Sequence, residues 1–279
     1  MTSDYDLKYN PRLTVSNFQE LMSQWTAQSE AVRANADCVL DVPYGEDPTE
    51  KLDVFRADAE SSALLMFIHG GYWRSLDKRD FSFIAPAFTR AGVTVVVPNY
   101  ALCPSVTVEA IVKQMLQATA WSYRNGVNFG APRKPIYVAG HSAGGHLTAM
   151  MLATLWNVYA ADLPANVVKG GLSISGIYDL TEIARTPSIN NDVRLTESGA
   201  IKVSPTHYPP AAGTRLYTAV GANENEGFHI QNQLIGDKWH AIHEGDVHCP
   251  GANHFTVLDR FIDPGSRLHK TTLEMMGIA

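Results

Sequence analysis

The sequence predicts an α/β fold, with a mostly parallel central sheet, helices on both faces and a small cap. Three observations carry that expectation. Residues 63–68, 93–97 and 136–139 are short, continuous apolar runs rich in strand formers, as expected of strands buried on both faces. Stretches 80–91 and 107–124 place apolar residues at helical spacing between those runs. Strands and helices therefore alternate, the order that right-handed parallel crossovers require. The third run passes through Gly140-His141-Ser142-Ala143-Gly144 directly into helix formers, which is a strand, a sharp turn and a helix.

Composition bounds the rest. A chain of 279 residues, with no internal repeat, low-complexity segment or linker, reads as one domain over 1–279. Its net charge of −6, unrelieved by any basic run, argues against nucleic acid and anionic membrane as partners. No stretch approaches the roughly 18 apolar residues of a membrane span, and MTSDYDLKYN lacks the basic-then-apolar pattern of a secretory signal. Cys38, Cys103 and Cys249 are odd in number and far apart, which fits a reducing compartment, so cytoplasm is expected. None has the spacing of a metal site, and neither metal nor organic cofactor is expected.

In chain order, residues 1–35 read as an N-terminal helical extension. Its helix runs from 15 to about 34, with Trp25 as an apolar anchor, and is expected to pack on the surface. A strand at 38–45 ends in a turn and pairs as a hairpin with 52–55. The run 63–68 leads into His69-Gly70-Gly71-Tyr72-Trp73. The helix expected at 80–91 carries Phe81, Ile84 and Phe88 on one face; the strand 93–97 runs into Pro98-Asn99-Tyr100. The helix at 107–124 has Ile111, Met115 and Ala118 on its apolar stripe. After the serine turn, helix formers occupy 147–155, and 171–176 is a further strand. Residues 176–212 are rich in Pro, Ser and Asn, and a loop of that length is expected to cap the site and shape its pocket. Then follow a strand at 215–221, a helix near 228–239, a strand at 241–247, and closing helices at 254–262 and 265–276. An apolar face on a closing helix leaves a homodimer open.

In such a sheet, functional groups gather beyond the carboxyl ends of the strands. That rule selects His69 to Trp73, Ser142, Asn223, Glu224, Glu226, His248 and His254. A serine hydroxyl becomes a nucleophile when an imidazole takes its proton and a carboxylate orients that imidazole. Ser142, Glu224 and His254 satisfy the chain order this architecture uses. His248 is the rival base, and Glu226 and Asp179 are rival acids; an Asp after a strand also commonly bonds turn backbone. Gly70 and Gly71 offer unobstructed N–H groups that would form an oxyanion hole with the Ala143 N–H. His69 is expected to hold that loop, and His146 to pack locally. Tyr72, Trp73 and His141 are candidate substrate-binding residues beside packing roles.

The combination of His69-Gly70-Gly71-Tyr72-Trp73 with Gly140-His141-Ser142-Ala143-Gly144-Gly145-His146-Leu147 resembles the α/β-hydrolase esterases of the hormone-sensitive-lipase type. More narrowly it resembles their kynurenine formamidase (arylformamidase) branch. Pro98-Asn99-Tyr100-Ala101-Leu102-Cys103-Pro104, Ser175-Gly176-Ile177-Tyr178-Asp179-Leu180 and Asn253-His254-Phe255 fit that branch too. The resemblance runs from about residue 8 to the C-terminus. It implies an α/β-hydrolase fold and a serine hydrolase acting on a small ester or amide, aromatic in kind, with N-formylkynurenine the first substrate. It also implies nucleophile, acid and base roles for Ser142, Glu224 and His254. Relatives often carry Asp at the acid position; Glu224 is one methylene longer, which keeps Glu226 open.

Overall fold

The computed structural model describes residues 3–278. Eight strands, among the described residues, form one sheet: β1 (Cys38–Pro43), β2 (Lys51–Phe55), β3 (Ala63–Ile68), β4 (Val93–Pro98), β5 (Ile136–His141), β6 (Val168–Ile174), β7 (Arg215–Gly221) and β8 (His243–Cys249). Their spatial order is β1-β2-β4-β3-β5-β6-β7-β8. The first two strands pair antiparallel with each other, and β2 pairs antiparallel with β4. From β4 onward every pairing is parallel. The apolar runs at β3, β4 and β5 are buried along their whole lengths, as two covered faces demand. No helix among the described residues is long and apolar enough to cross a membrane.

Three elements depart from the sequence expectation. The helix expected over 80–91 is a three-ten helix, Lys78–Ile84, followed by a short α-helix, Ala85–Thr89. Pro86 has no N–H to extend the ladder, and Ala85 bonds the Ser82 carbonyl in the tighter pattern. The serine helix ends at Leu152 rather than 155, because the Leu152 carbonyl accepts the Ala211 N–H at 2.8 Å. Residues 176–212 are not a structureless loop. They contain the short helices Thr181–Ala184, Pro187–Val193 and Glu197–Lys202.

The helix Phe18–Asn35 of the N-terminal extension is tied down at its middle and near its C-terminal end. Trp25 packs against Phe81 and Phe83 at centroid distances of 5.4 and 5.6 Å. Arg33 pairs with the fully buried Asp53, which also accepts Lys78 Nζ at 2.7 Å and the Asp41 N–H at 2.8 Å. Lys78 bonds Asp41 as well, at 2.6 Å, and this contact holds the Asp41 carboxyl below its usual range. Removing one member of such a buried network typically costs about 3–5 kcal/mol, because a charge is left without a partner.

Buried histidines add a pH-sensitive element. His146 donates from Nε2 to the Val203 carbonyl at 2.6 Å, tying the serine helix to the segment after Glu197–Lys202, while the Trp73 ring meets it edge-on at 5.1 Å. Burial pushes its pKa down from 6.5 to about 4. The folded protein therefore keeps this ring neutral where the unfolded chain protonates it. Stability is full above pH 6.5 and declines as pH falls toward 4, by about 3 kcal/mol over that window. In His146→Gln, whose amide can still donate to Val203, the fall in urea-unfolding free energy between pH 7 and pH 4 should shrink by about that amount. Equal slopes in the two proteins would remove His146 from the account.

Candidate active site

The carboxyl ends of β3, β5, β6, β7 and β8 deliver the predicted residues to one end of the sheet. Ser142 follows β5 with φ +59° and ψ −118°, a conformation that costs a side-chain-bearing residue about 1–3 kcal/mol. Close packing of glycines holds it there. A Cβ on Gly140 would lie 2.1 Å from the Gly144 carbonyl oxygen, and one on Gly144 would lie 1.9 Å from that of Ile68. The Ser142 N–H bonds the Ile174 carbonyl at 2.8 Å, so the turn is also hooked to β6. Ser142 is the N-cap of the helix Ala143–Leu152, whose first N–H groups, Ala143 included, have no partner within the helix.

His254 and Glu224 are brought together. His254 Nδ1 lies 2.6 Å from Glu224 Oε2, with both side chains buried. The other carboxylate oxygen accepts the Gly221 N–H at 2.7 Å and the Ser175 hydroxyl at 2.6 Å. This fixes the plane of the carboxylate and, through it, the orientation of the imidazole. With Nδ1 engaged, Nε2 is the nitrogen available for a proton. The rivals lie elsewhere. Glu226 is exposed in the first turn of the helix Glu226–Lys238, His248 is exposed on β8, and Asp179 accepts the Thr181 N–H and hydroxyl in a local turn. Ser175 escaped the sequence reading although it follows β6 directly; the same strand-end rule would have found it.

The loop after β3 is set by Tyr100 and His69. The Tyr100 hydroxyl reaches the His69 carbonyl at 2.9 Å and the Gly70 carbonyl at 3.2 Å, and the His69 ring stacks on Tyr100 at 4.2 Å. His69 Nδ1 also bonds the Gly70 carbonyl, at 2.8 Å. A trans peptide points its N–H opposite its carbonyl, so these bonds turn the N–H groups of Gly70 and Gly71 away from Tyr100. Gly70 backs directly on the serine turn: a Cβ there would meet Ser142 Cβ at 3.0 Å and the His141 carbonyl at 2.8 Å. Gly71, at φ +110°, leaves no room for a side chain against the Ser75 carbonyl.

Ser142 and His254 open onto a cleft of about 500 Å³, counting the part open to solvent. Its walls include Trp25, Tyr72, Phe255, Met22 and His141. Two expectations change here. Trp73 does not reach the cleft; it is fully buried against His146, and its carbonyl accepts the Cys103 N–H. The expected cap, 176–212, supplies none of the lining, which comes instead from the N-terminal extension through Asn10, Pro11, Arg12, Met22 and Trp25. The 176–212 region buttresses that extension from behind. Glu182 accepts the Tyr9 hydroxyl at 2.5 Å, and Ser188 bonds Asn10 and Asp6. Sequence reasoning missed this because a polar helix far from the motifs carries no local sign of where it docks.

His141 has a specific place. Its Nε2 donates to the His254 carbonyl at 2.7 Å, and the two rings lie 4.7 Å apart. Burial, and next the nearby His254, push its pKa well below 6.5, so the ring is neutral with its one N–H committed to the His254 backbone. It holds the histidine loop rather than titrating.

The fold and the site define a hydrolase built on an α/β sheet. A family model for the alpha/beta hydrolase fold matches residues 65–224. Kynurenine formamidase of Salmo salar is 30% identical over 262 residues, covering 89% of this chain and 85% of the relative. Kynurenine formamidase of Danio rerio is 28% identical, covering 97% and 93%. A solved structure from a Silicibacter species, provisionally described as a thioesterase, superposes with a TM-score of 0.85 at 28% identity, covering 99% of this chain and 98% of that one. The chain belongs to the alpha/beta-hydrolase family, in the branch that holds these kynurenine formamidases.

The His141 contact yields a test on p-nitrophenyl acetate. His141→Leu should lower kcat about tenfold or more, because the His254 carbonyl loses its buried donor. His141→Gln, which can still donate, should stay within about threefold of wild type. Equal losses in the two variants would mean that the ring packs but does not position the loop.

Proposed function

We propose that this chain is a serine hydrolase that cleaves an aryl formamide such as N-formylkynurenine through a formyl-enzyme. The observation that carries the reading is the Glu224–His254 pair beside Ser142 at the foot of a cleft walled by Trp25, Tyr72 and Phe255. Aromatic walls suit an aromatic leaving group. Ser142 is only 2% exposed and Gly70 packs against it, which favours a small acyl group such as formyl. The formamidase relatives at 28% and 30% identity support the same substrate class.

In the proposed mechanism His254 Nε2 takes the Ser142 proton as Oγ attacks the formyl carbonyl. The oxyanion receives N–H bonds from Gly70, Gly71 and Ala143. The imidazolium, steadied by Glu224, then gives its proton to the aryl nitrogen, and the C–N bond breaks to release the arylamine. Water, deprotonated by His254, attacks the formyl ester; formate leaves and Ser142 regains its proton. Each donor in such a hole is worth roughly 10²–10³ in turnover. The Ser175 hydroxyl and Gly221 N–H hold Glu224 in place by bonding one of its carboxylate oxygens.

The test is kcat/KM for N-formylkynurenine beside p-nitrophenyl acetate, with Ser142→Ala as control. The formamide should win by a factor of about 100, or about 2.7 kcal/mol of transition-state discrimination, and Ser142→Ala should abolish both activities. A preference for the ester would keep the nucleophile but move the substrate to small carboxylic esters. Full activity in Ser142→Ala would overturn the mechanism. Glu224→Gln should lower kcat by about 10²–10⁴, since the amide cannot serve His254, Ser175 and Gly221 together; a loss under about threefold would remove Glu224 from the triad.

A further inference from the structure

The floor of the cleft holds a buried acceptor that the catalytic steps leave unused. His141 is 3% exposed and lines the cleft beside Ser142. Its Nε2 faces the His254 carbonyl, which can only accept, so the ring proton sits on Nε2 and Nδ1 carries a bare lone pair. Nδ1 is buried and bonds no described residue. A buried polar atom left unpaired is costly, and in a native protein it calls for a reason. Gly70 defines its place. A Cβ there would stand 3.3 Å from His141 Nδ1 and 3.0 Å from Ser142 Cβ, so the lone pair and the nucleophile border the same small volume. Neighbouring acceptors are taken. The Gly70 carbonyl accepts from His69 and Tyr100, that of Gly71 from Arg74 and Ser75, that of Ser142 from Gly145 and His146, and that of His254 from His141 itself.

We propose that His141 Nδ1 accepts the N–H of the scissile amide and so favours a secondary formamide over the matching ester. The inference rests on the formamidase reading and goes beyond it in naming the residue that tells amide from ester. As Ser142 Oγ attacks, the amide nitrogen turns its lone pair toward His254, which will protonate it, and its own N–H must point elsewhere. Ser142 and His254 are 2% and 4% exposed, so water gives that N–H little help. Paired with Nδ1, the N–H exchanges a hydrogen bond to water for one to the protein. Unpaired, it would be a buried donor without an acceptor. An ester oxygen has no hydrogen to place, so its cleavage gains nothing from Nδ1. The stabilisation is differential, the kind that separates substrates by kcat/KM.

The experiment measures kcat/KM for formanilide and phenyl formate, which differ only by N–H against O, in wild type, His141→Leu and His141→Gln. Taking the ratio of the two substrates within each protein cancels any general loss from a disturbed His254 loop. His141→Leu should lower the formanilide-to-phenyl formate ratio about tenfold or more. His141→Gln, whose amide both donates and accepts, should bring it back to within about threefold of wild type. In wild type, N-methylformanilide, which has no N–H, should fall about tenfold or more below formanilide once each is divided by its hydroxide-catalysed rate. A Leu ratio within about threefold of wild type, a Gln ratio as low as that of Leu, or N-methylformanilide cleaved as well as formanilide would overturn the acceptor role. If wild type cleaves phenyl formate but not formanilide, the formamidase reading falls and takes this role with it. Formamide cleavage with an unmoved ratio removes the role alone.

Discussion

The turn between β5 and the serine helix is the constraint from which the site follows. Ser142 sits in a conformation that side chains avoid, and it stays there because β3, β5 and the helix approach too closely for anything but glycine at positions 140 and 144. The strain is supported by a fully parallel, fully buried centre of the sheet, where β3 and β6 flank β5 on either side. That same approach brings the loop after β3 against Ser142. Backbone geometry thus brings Ser142 and the glycine loop together, and the side chains of Tyr100 and His69 set the direction of that loop's peptides.

The histidine side of the site is ordered by a second set of contacts. Glu224 is held by Ser175 and Gly221, His254 by Glu224, and the His254 backbone by His141. Phe228 lies 4.3 Å from the His254 ring and closes it off from the side. Each partner is buried, so each polar bond is made in a low-dielectric setting where an unmade bond is costly. Neutral histidines recur in this protein as structural donors: His69, His141 and His146 all bond backbone carbonyls, and burial keeps all three from ionising readily. Among the described histidines, His254 is the one whose ring bonds a carboxylate, that of Glu224.

The N-terminal extension completes the site from outside the sheet. Asn225, next to Glu224, donates to the Leu7 carbonyl at 2.7 Å and accepts the Thr14 hydroxyl at 2.9 Å. The Tyr72 hydroxyl, next to the oxyanion loop, reaches the Tyr9 carbonyl. The segment that walls the cleft is therefore fastened both beside Glu224 and beside the loop after β3, and Trp25 packs on Phe81, Phe83 and Phe255.

Much of this was legible in the amino-acid order because it is local. The buried strands announce themselves as apolar runs, and the serine turn as glycines around a serine between a strand and a helix. Glu224 and His254 follow from the rule that loops after successive parallel strands share one end of the sheet. What lay beyond reach depends on contacts between residues distant in sequence. Glu224 and Glu226 both follow β7, and only the hydrogen bonds of Ser175, Gly221 and His254 single out the first. Tyr72 and Trp73 are neighbours in one motif, yet the chain turns at φ +50° and +55° there, and one ring faces the cleft while the other is buried against His146. The polar helix Phe18–Asn35 carries one buried tryptophan and a salt bridge to Asp53, too little periodic signal to reveal where it docks. Sequence determined the fold and the strained serine turn because strand burial and turn geometry are properties of short segments. Tertiary structure alone decided which carboxylate meets His254 and what walls the cleft, because those are set by long-range packing that a local pattern does not encode.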